Sequence, residues 1–190
     1  MRLFDTHAHC DDLRIQTEFE GGTEGYIRHQ IEHGVANIVN IGTNLDNSRV
    51  SIELAKRIPE VYASCGIHPY DVRFYDNVDD TLSKLEVLLK EDKVVALGEI
   101  GLDYHWRQDN KEKQAQFFEA QLLLAEEYDI PVTMHLGDPP EFWDINKISE
   151  YALKVGWYCD ETYPTLEEMR NEVLSILDKF PRLRLTMAHF

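Results

Sequence analysis

The stretch "VVALGEIG", Val94 to Gly101, decides the fold. It is a continuous apolar run that closes on a carboxylate, with none of the alternation of a half-exposed strand, and a strand covered on both faces of a parallel sheet reads this way. Five further segments read as strands: "LFDTHAH" (3–9), "ANIVNIG" (36–42), "VYASCGI" (61–67), "PVTMHLG" (131–137) and "LRLTMAH" (183–189). Between them, "SRVSIELAKRI", "TLSKLEVLLKED" and "KEKQAQFFEAQLLLAEEYD" carry apolar residues at helical spacing, as covering helices do.

A β-α-β-α order with buried strands leaves an α/β barrel or an open doubly wound sheet. No GxGxxG follows an early strand, so a dinucleotide fold has no support. Polar, chemically capable residues gather at the C-terminal ends of the strands: His7 and His9, Asn40, His68, Glu99 and Asp103, His135 and Asp138, and His189. A TIM barrel places its active site at that end. The reading is therefore an α/β chain of TIM-barrel type, one domain over 1–190, with six of the eight βα units.

Length and charge narrow the class. At 190 residues and 43% hydrophobic content, one domain with a real core is expected. The sequence has no 18-residue apolar run and no basic-then-apolar start, so no membrane span or signal peptide is expected and the cytoplasm is the expected location. Three cysteines without CxxC spacing (Cys10, Cys65, Cys159) read as reduced thiols. The 19 basic and 35 acidic residues give a net charge of -16, which disfavours nucleic acid and favours small substrates, although divalent cations in a cleft can reverse the local field.

His7 and His9, two apart on a strand, point to one face and can chelate one cation; the alternative is a pair of satisfied polar residues at a strand end. Glu99 lies between Gly98 and Gly101, which permit close backbone approach, and its two oxygens can bridge two ions; the alternative is a buried Glu paired with a base, Arg107 being the closest basic residue C-terminal to it. Asp103 is placed to accept from a ligating histidine. His135 and His189 close the fifth and sixth strands. Four histidines and a glutamate at one end of a parallel sheet read as a metal site, and metal-assisted hydrolysis follows as the reaction class. A Ser-His-Asp arrangement lacks a nucleophile elbow.

Residues 138–182 form the longest connection. "DPPEFW" reads as an excursion over the barrel mouth, and Thr165 with Glu168 as a capping box opening the helix "LEEMRNEVLSILDKF".

On "FDTHAHCDD", "NIGTNLDNS", "GIHPYD", "ALGEIGLDYHW", Gln114, Phe118 and "QLLLAEEYDIPVTMH", the chain from about Arg2 to Asp138 resembles the TatD family of metal-dependent hydrolases, within the amidohydrolase superfamily. The resemblance implies two divalent ions (Zn, Mn, Mg or Fe), one held by His7, His9 and Glu99 and the other by Glu99, His135 and His189. Glu99 and His135 are then the residues tied most closely to catalysis, with His68 and Asp71 as substrate contacts. It also implies deoxyribonuclease or phosphodiesterase activity.

Residues 137–190 resemble instead the amidohydrolase-related decarboxylases and lactonases, in "DPPEFWD", "YPTLEE" and "AHF"; a small carboxylated or cyclic substrate is the alternative. Both groups carry an aspartate at the end of strand eight, which is not present here. The chain is thus expected to be the front portion of a longer reading frame. Otherwise it is a shortened, non-catalytic barrel whose open strand edges invite a homo-oligomer.

Overall fold

The computed structural model describes residues 3–104, 109–136 and 166–188. Six strands form one sheet in the order β1-β2-β3-β4-β5-β6, and every pairing is parallel. They are β1 (Leu3–Ala8), β2 (Val35–Asn40), β3 (Val61–Cys65), β4 (Val94–Leu102), β5 (Val132–Leu136) and β6 (Leu185–Ala188). Strands paired in sequential order and joined by helices make the curled sheet of a TIM barrel.

Helix α3 (Leu45–Arg57) starts where Asn44 accepts hydrogen bonds from the Asp46 and Asn47 backbone N–H groups, and ends on Lys56 and Arg57 at the negative pole of its dipole. In the same way Asn77 caps α4 (Val78–Leu89), with Asp79 and Asp80 in its first turn. Helix α5 (Lys111–Glu127) buries Gln114, Phe117, Phe118, Gln121 and Leu122, a single stripe at helical spacing. Helix α6 is Leu166–Leu177. The core lies between these helices and the sheet, around Leu97, Ile100, Phe117, Phe118, Leu122 and Val132, all fully buried.

Strand β4 is buried from Ala96 to Leu102, as its unbroken apolar run predicts. Strand β1 is first in the order with one described neighbour, and Leu3 and Phe4 there are half exposed. Two helices have no counterpart in the sequence reading: α1 (Leu13–Glu18), and α2 (Gly22–Glu32) with Ile27 as its one buried residue. Periodicity reports burial, and these helices bury too little to show it. The capping box at Thr165 and Glu168, the "DPPEFW" excursion, Asp138, Arg107, Cys159 and His189 lie outside the described residues or side chains. Cys10 and Cys65 are free thiols, and burial pushes both up to about 12. No described helix is long and apolar enough to cross a membrane.

Register brings the strand ends level: Ala8 pairs with Asn40, and Gly101 with His135. At Gly98 and Gly101, φ is 154° and 150°, backbone that side chains rarely adopt. A Cβ on Gly98 would run into the Thr133 carbonyl oxygen and sit 2.8 Å from Thr133 Cβ; one on Gly101 would overlap the His135 carbonyl group. The two glycines let β4 lie against β5 on either side of Glu99.

Candidate metal centre

Glu99 sits at the middle of the strand ends and is 1% exposed. Its Oε2 lies 3.4 Å from His7 Nε2 and 3.6 Å from His9 Nε2, while Oε1 lies 2.9 Å from His135 Nδ1. One carboxylate thus divides its two oxygens between two sets of imidazole nitrogens. His7, His9 and Glu99 form one group whose ligand atoms all lie within 4.8 Å of one another, and His68, Glu99 and His135 form a second. Four imidazoles and a shared carboxylate are a donor set that suits divalent transition metals.

Burial would raise the Glu99 carboxyl, but hydrogen bonds from His135 and His7 outweigh it and hold the group well below the carboxylate range. Burial would likewise lower His135; the hydrogen bonds and charges of Asp103 and Glu99 win and lift it to about 9. His135 Nε2 lies 3.0 Å from Asp103 Oδ2. With Asp103 accepting from Nε2, the ring presents Nδ1 to Glu99, the geometry of a carboxylate-oriented metal histidine.

The ring of His68 stands edge-on to that of His135, centroids 4.2 Å apart. Burial, with the His135 charge added, pushes His68 down to about 4 and keeps it neutral. Its Nδ1 accepts the Tyr70 backbone N–H at 3.1 Å, so the neutral ring carries its proton on Nε2 and acts as a donor. Asp71 lies at the start of a 3₁₀ turn, Asp71–Phe74, where its Oδ2 accepts from Asn44 Nδ2 at 2.8 Å. His9 falls one residue past the end of β1.

Several residues hold this site in place through contacts that the sequence does not display. Asn40, fully buried, accepts from the Cys10 backbone N–H and donates to Asp11 and Ser51, and Asn47 donates to the other oxygen of Asp11. Together they fix the turn that follows His9. On α5, Gln114 accepts from the Asp103 N–H and donates to its carbonyl. Seven residues on, Gln121 does the same to Ile67, the residue before His68. The signal for both was a polar residue on the apolar stripe of a helix.

Gln121→Leu keeps the volume but leaves a buried N–H and a buried C=O unpaired. The expected cost is about 2–4 kcal/mol of stability, read as a lower urea midpoint with unchanged slope; an unchanged midpoint would show that the Ile67 clamp contributes nothing.

Six parallel strands in chain order, with a histidine-glutamate cluster at their C-terminal ends, define an α/β barrel of the metal-dependent hydrolase type. The chain matches the TatD-related DNase family over residues 4–170, and it belongs to that family. It is 34% identical over 139 residues to the metal-dependent hydrolase YabD of Bacillus subtilis, covering 73% of this chain and 52% of that protein. It is 30% identical over 125 residues to the 3'-5' ssDNA/RNA exonuclease TatD of Salmonella typhimurium, covering 66% of this chain and 47% of that one. The crystal structure of YjjV, a TatD homologue from Escherichia coli, superposes with a TM-score of 0.63 at 25% identity, over 98% of this chain and 67% of YjjV. The chain spans about half the length of the curated relatives it matches.

Proposed function

We propose that this chain serves a divalent-metal-dependent hydrolase that cleaves phosphodiesters, with single-stranded nucleic acid as the substrate class. The observation that carries the reading is the division of Glu99 between His7 and His9 on one oxygen and His135 on the other. His7, His9 and Glu99 would hold one ion; Glu99 and His135, joined by His189, would hold the second. Bound ions would polarise a phosphoryl oxygen and acidify water.

The chain's own residues have separate tasks. Asp103 keeps the Nε2 proton of His135 and turns Nδ1 toward Glu99. His68 stays neutral and offers an Nε2–H to a phosphate oxygen, which an imidazole with its proton on Nδ1 could not do. The His7, His68 and His135 side chains are largely buried in one cluster, so the hydrogen bonds offered there act at low dielectric. The names of the relatives support this reading: one is a metal-dependent hydrolase, another a 3'-5' ssDNA/RNA exonuclease.

The test is a comparison of bis(p-nitrophenyl) phosphate, a single-stranded oligonucleotide and a γ-lactone as substrates with added Mn, Zn or Mg. Metal-dependent turnover of the diester and the oligonucleotide, lost on chelation, is expected. Turnover of the lactone alone would sink the phosphodiesterase reading and favour a small cyclic substrate, to which the net charge of -16 is better suited.

A further inference from the structure

Among the arginines whose side chains are described, Arg14, Arg28, Arg49, Arg57, Arg182 and Arg184 each face a carboxylate. Arg73 does not. Its Nε is buried with no hydrogen-bond partner, in a chain with 35 acidic residues to choose from. Its guanidinium lies instead on two aromatic rings, with the central carbon 3.7 Å from the centroid of Tyr70 and 4.5 Å from that of Phe74. Both rings stay open to solvent: Tyr70 is 39% exposed and Phe74 68%.

The turn that carries them is fixed at both ends. Val72 is buried beneath it, and the Asp71 and Val72 N–H groups bond the His68 carbonyl. Asn44 donates to Asp71, and Tyr75 accepts the Leu45 N–H at 3.1 Å. The turn therefore starts from His68, whose ring abuts His135 in the metal centre.

We propose that Tyr70, Arg73 and Phe74 form a platform for single-stranded nucleic acid beside the metal centre, with Arg73 on a phosphate and the exposed rings stacking on bases. The inference rests on the phosphodiesterase reading and adds to it where the strand lies. An arginine held on aromatic rings and lacking a carboxylate has its terminal NH₂ donors available to an outside anion. Base stacking on aromatic side chains is nearly independent of sequence and needs unpaired bases. The net charge repels polyanions in general, so the platform selects a strand with open base faces over a duplex of equal charge density.

The experiment is fluorescence anisotropy in EDTA, which stops cleavage, using a short labelled oligothymidylate, an abasic oligomer of the same length and a duplex. The chain should bind oligothymidylate more tightly than either of the others. Tyr70→Ala with Phe74→Ala should weaken that binding by about tenfold or more. Phe74→Trp should keep it, and Arg73→Gln should weaken the oligothymidylate and abasic oligomers alike. Equal binding of oligothymidylate and the abasic oligomer, or a Tyr70→Ala/Phe74→Ala variant that binds like the parent, would overturn the platform.

A parallel arm separates this inference from the reading beneath it. Hydrolysis of bis(p-nitrophenyl) phosphate, measured on parent and double variant, reports the hydrolase reading without a nucleic-acid strand. If neither protein cleaves it while the binding difference persists, the hydrolase reading fails and the platform stands.

Discussion

Glu99→Gln is expected to remove both ion binding and hydrolysis, with kcat/KM falling on the order of a thousandfold or more, equivalent to about 4 kcal/mol of transition-state stabilisation. The substitution preserves shape, so the effect is chemical. An amide offers one oxygen where the carboxylate offers two, and its NH₂ cannot ligate a cation. Whichever way the amide is turned, either the His7 and His9 nitrogens at 3.4 and 3.6 Å or the His135 nitrogen at 2.9 Å would face a donor instead of an acceptor. Asp103→Asn gives the comparison. Asp103 touches His135 and would touch no ion, so its loss should cost the ~10–100-fold typical of an outer partner of a metal ligand. Metal content by mass spectrometry after loading and desalting, with diesterase rates on the same samples, checks both. A Glu99→Gln protein that keeps its full complement of metal would remove Glu99 from the centre.

The part of this arrangement that the sequence displays is the part written in local pattern. Continuous apolar runs mark β2 to β5, and the polar residue closing each run marks the functional end, because in a parallel sheet all the runs end on the same side. Gly98 and Gly101 are legible for the same reason: flanking a lone carboxylate inside an apolar strand, they imply a close backbone neighbour, which is β5. What escapes the sequence depends on distance. Asn40 and Asp11 are 29 residues apart, Asn44 and Asp71 are 27 apart, and Gln121 and Ile67 are 54 apart. A glutamine in a helix is unremarkable until the fold buries it. The motif that offers His68 and Asp71 as substrate contacts does not display their neighbours: His68 packs against His135, and Asp71 ties its turn to the start of α3. His9, read as the end of a strand, lies on a turn whose course Asn40 and Asp11 set, so its reach toward Glu99 is a tertiary property.

Gly101→Ala is expected to have the largest effect on folding. Two costs add. At φ 150° a side chain meets its own backbone, about 1–3 kcal/mol, and the new methyl collides with the His135 carbonyl group, whose carbon would be 2.9 Å away. Opening the β4–β5 pair enough to admit it would loosen ladder bonds between strands buried on both faces, a further ~1–3 kcal/mol. The sum, roughly 2–6 kcal/mol, is a large fraction of what holds a domain folded. Gly98→Ala meets the Thr133 carbonyl and Cβ in the same way. The damage to the centre should exceed the damage to the fold, because the obstacle at Gly101 is the backbone of His135 itself, and moving that backbone separates His135 Nδ1 from Glu99 Oε1, now 2.9 Å apart. Urea midpoints read the first effect and metal affinity of the folded fraction reads the second. A Gly101→Ala protein that is destabilised yet binds metal as tightly as the parent would show that the two strands separate without moving the ligands. A protein unchanged in both respects would mean that β4 and β5 do not pack as closely as the glycines allow.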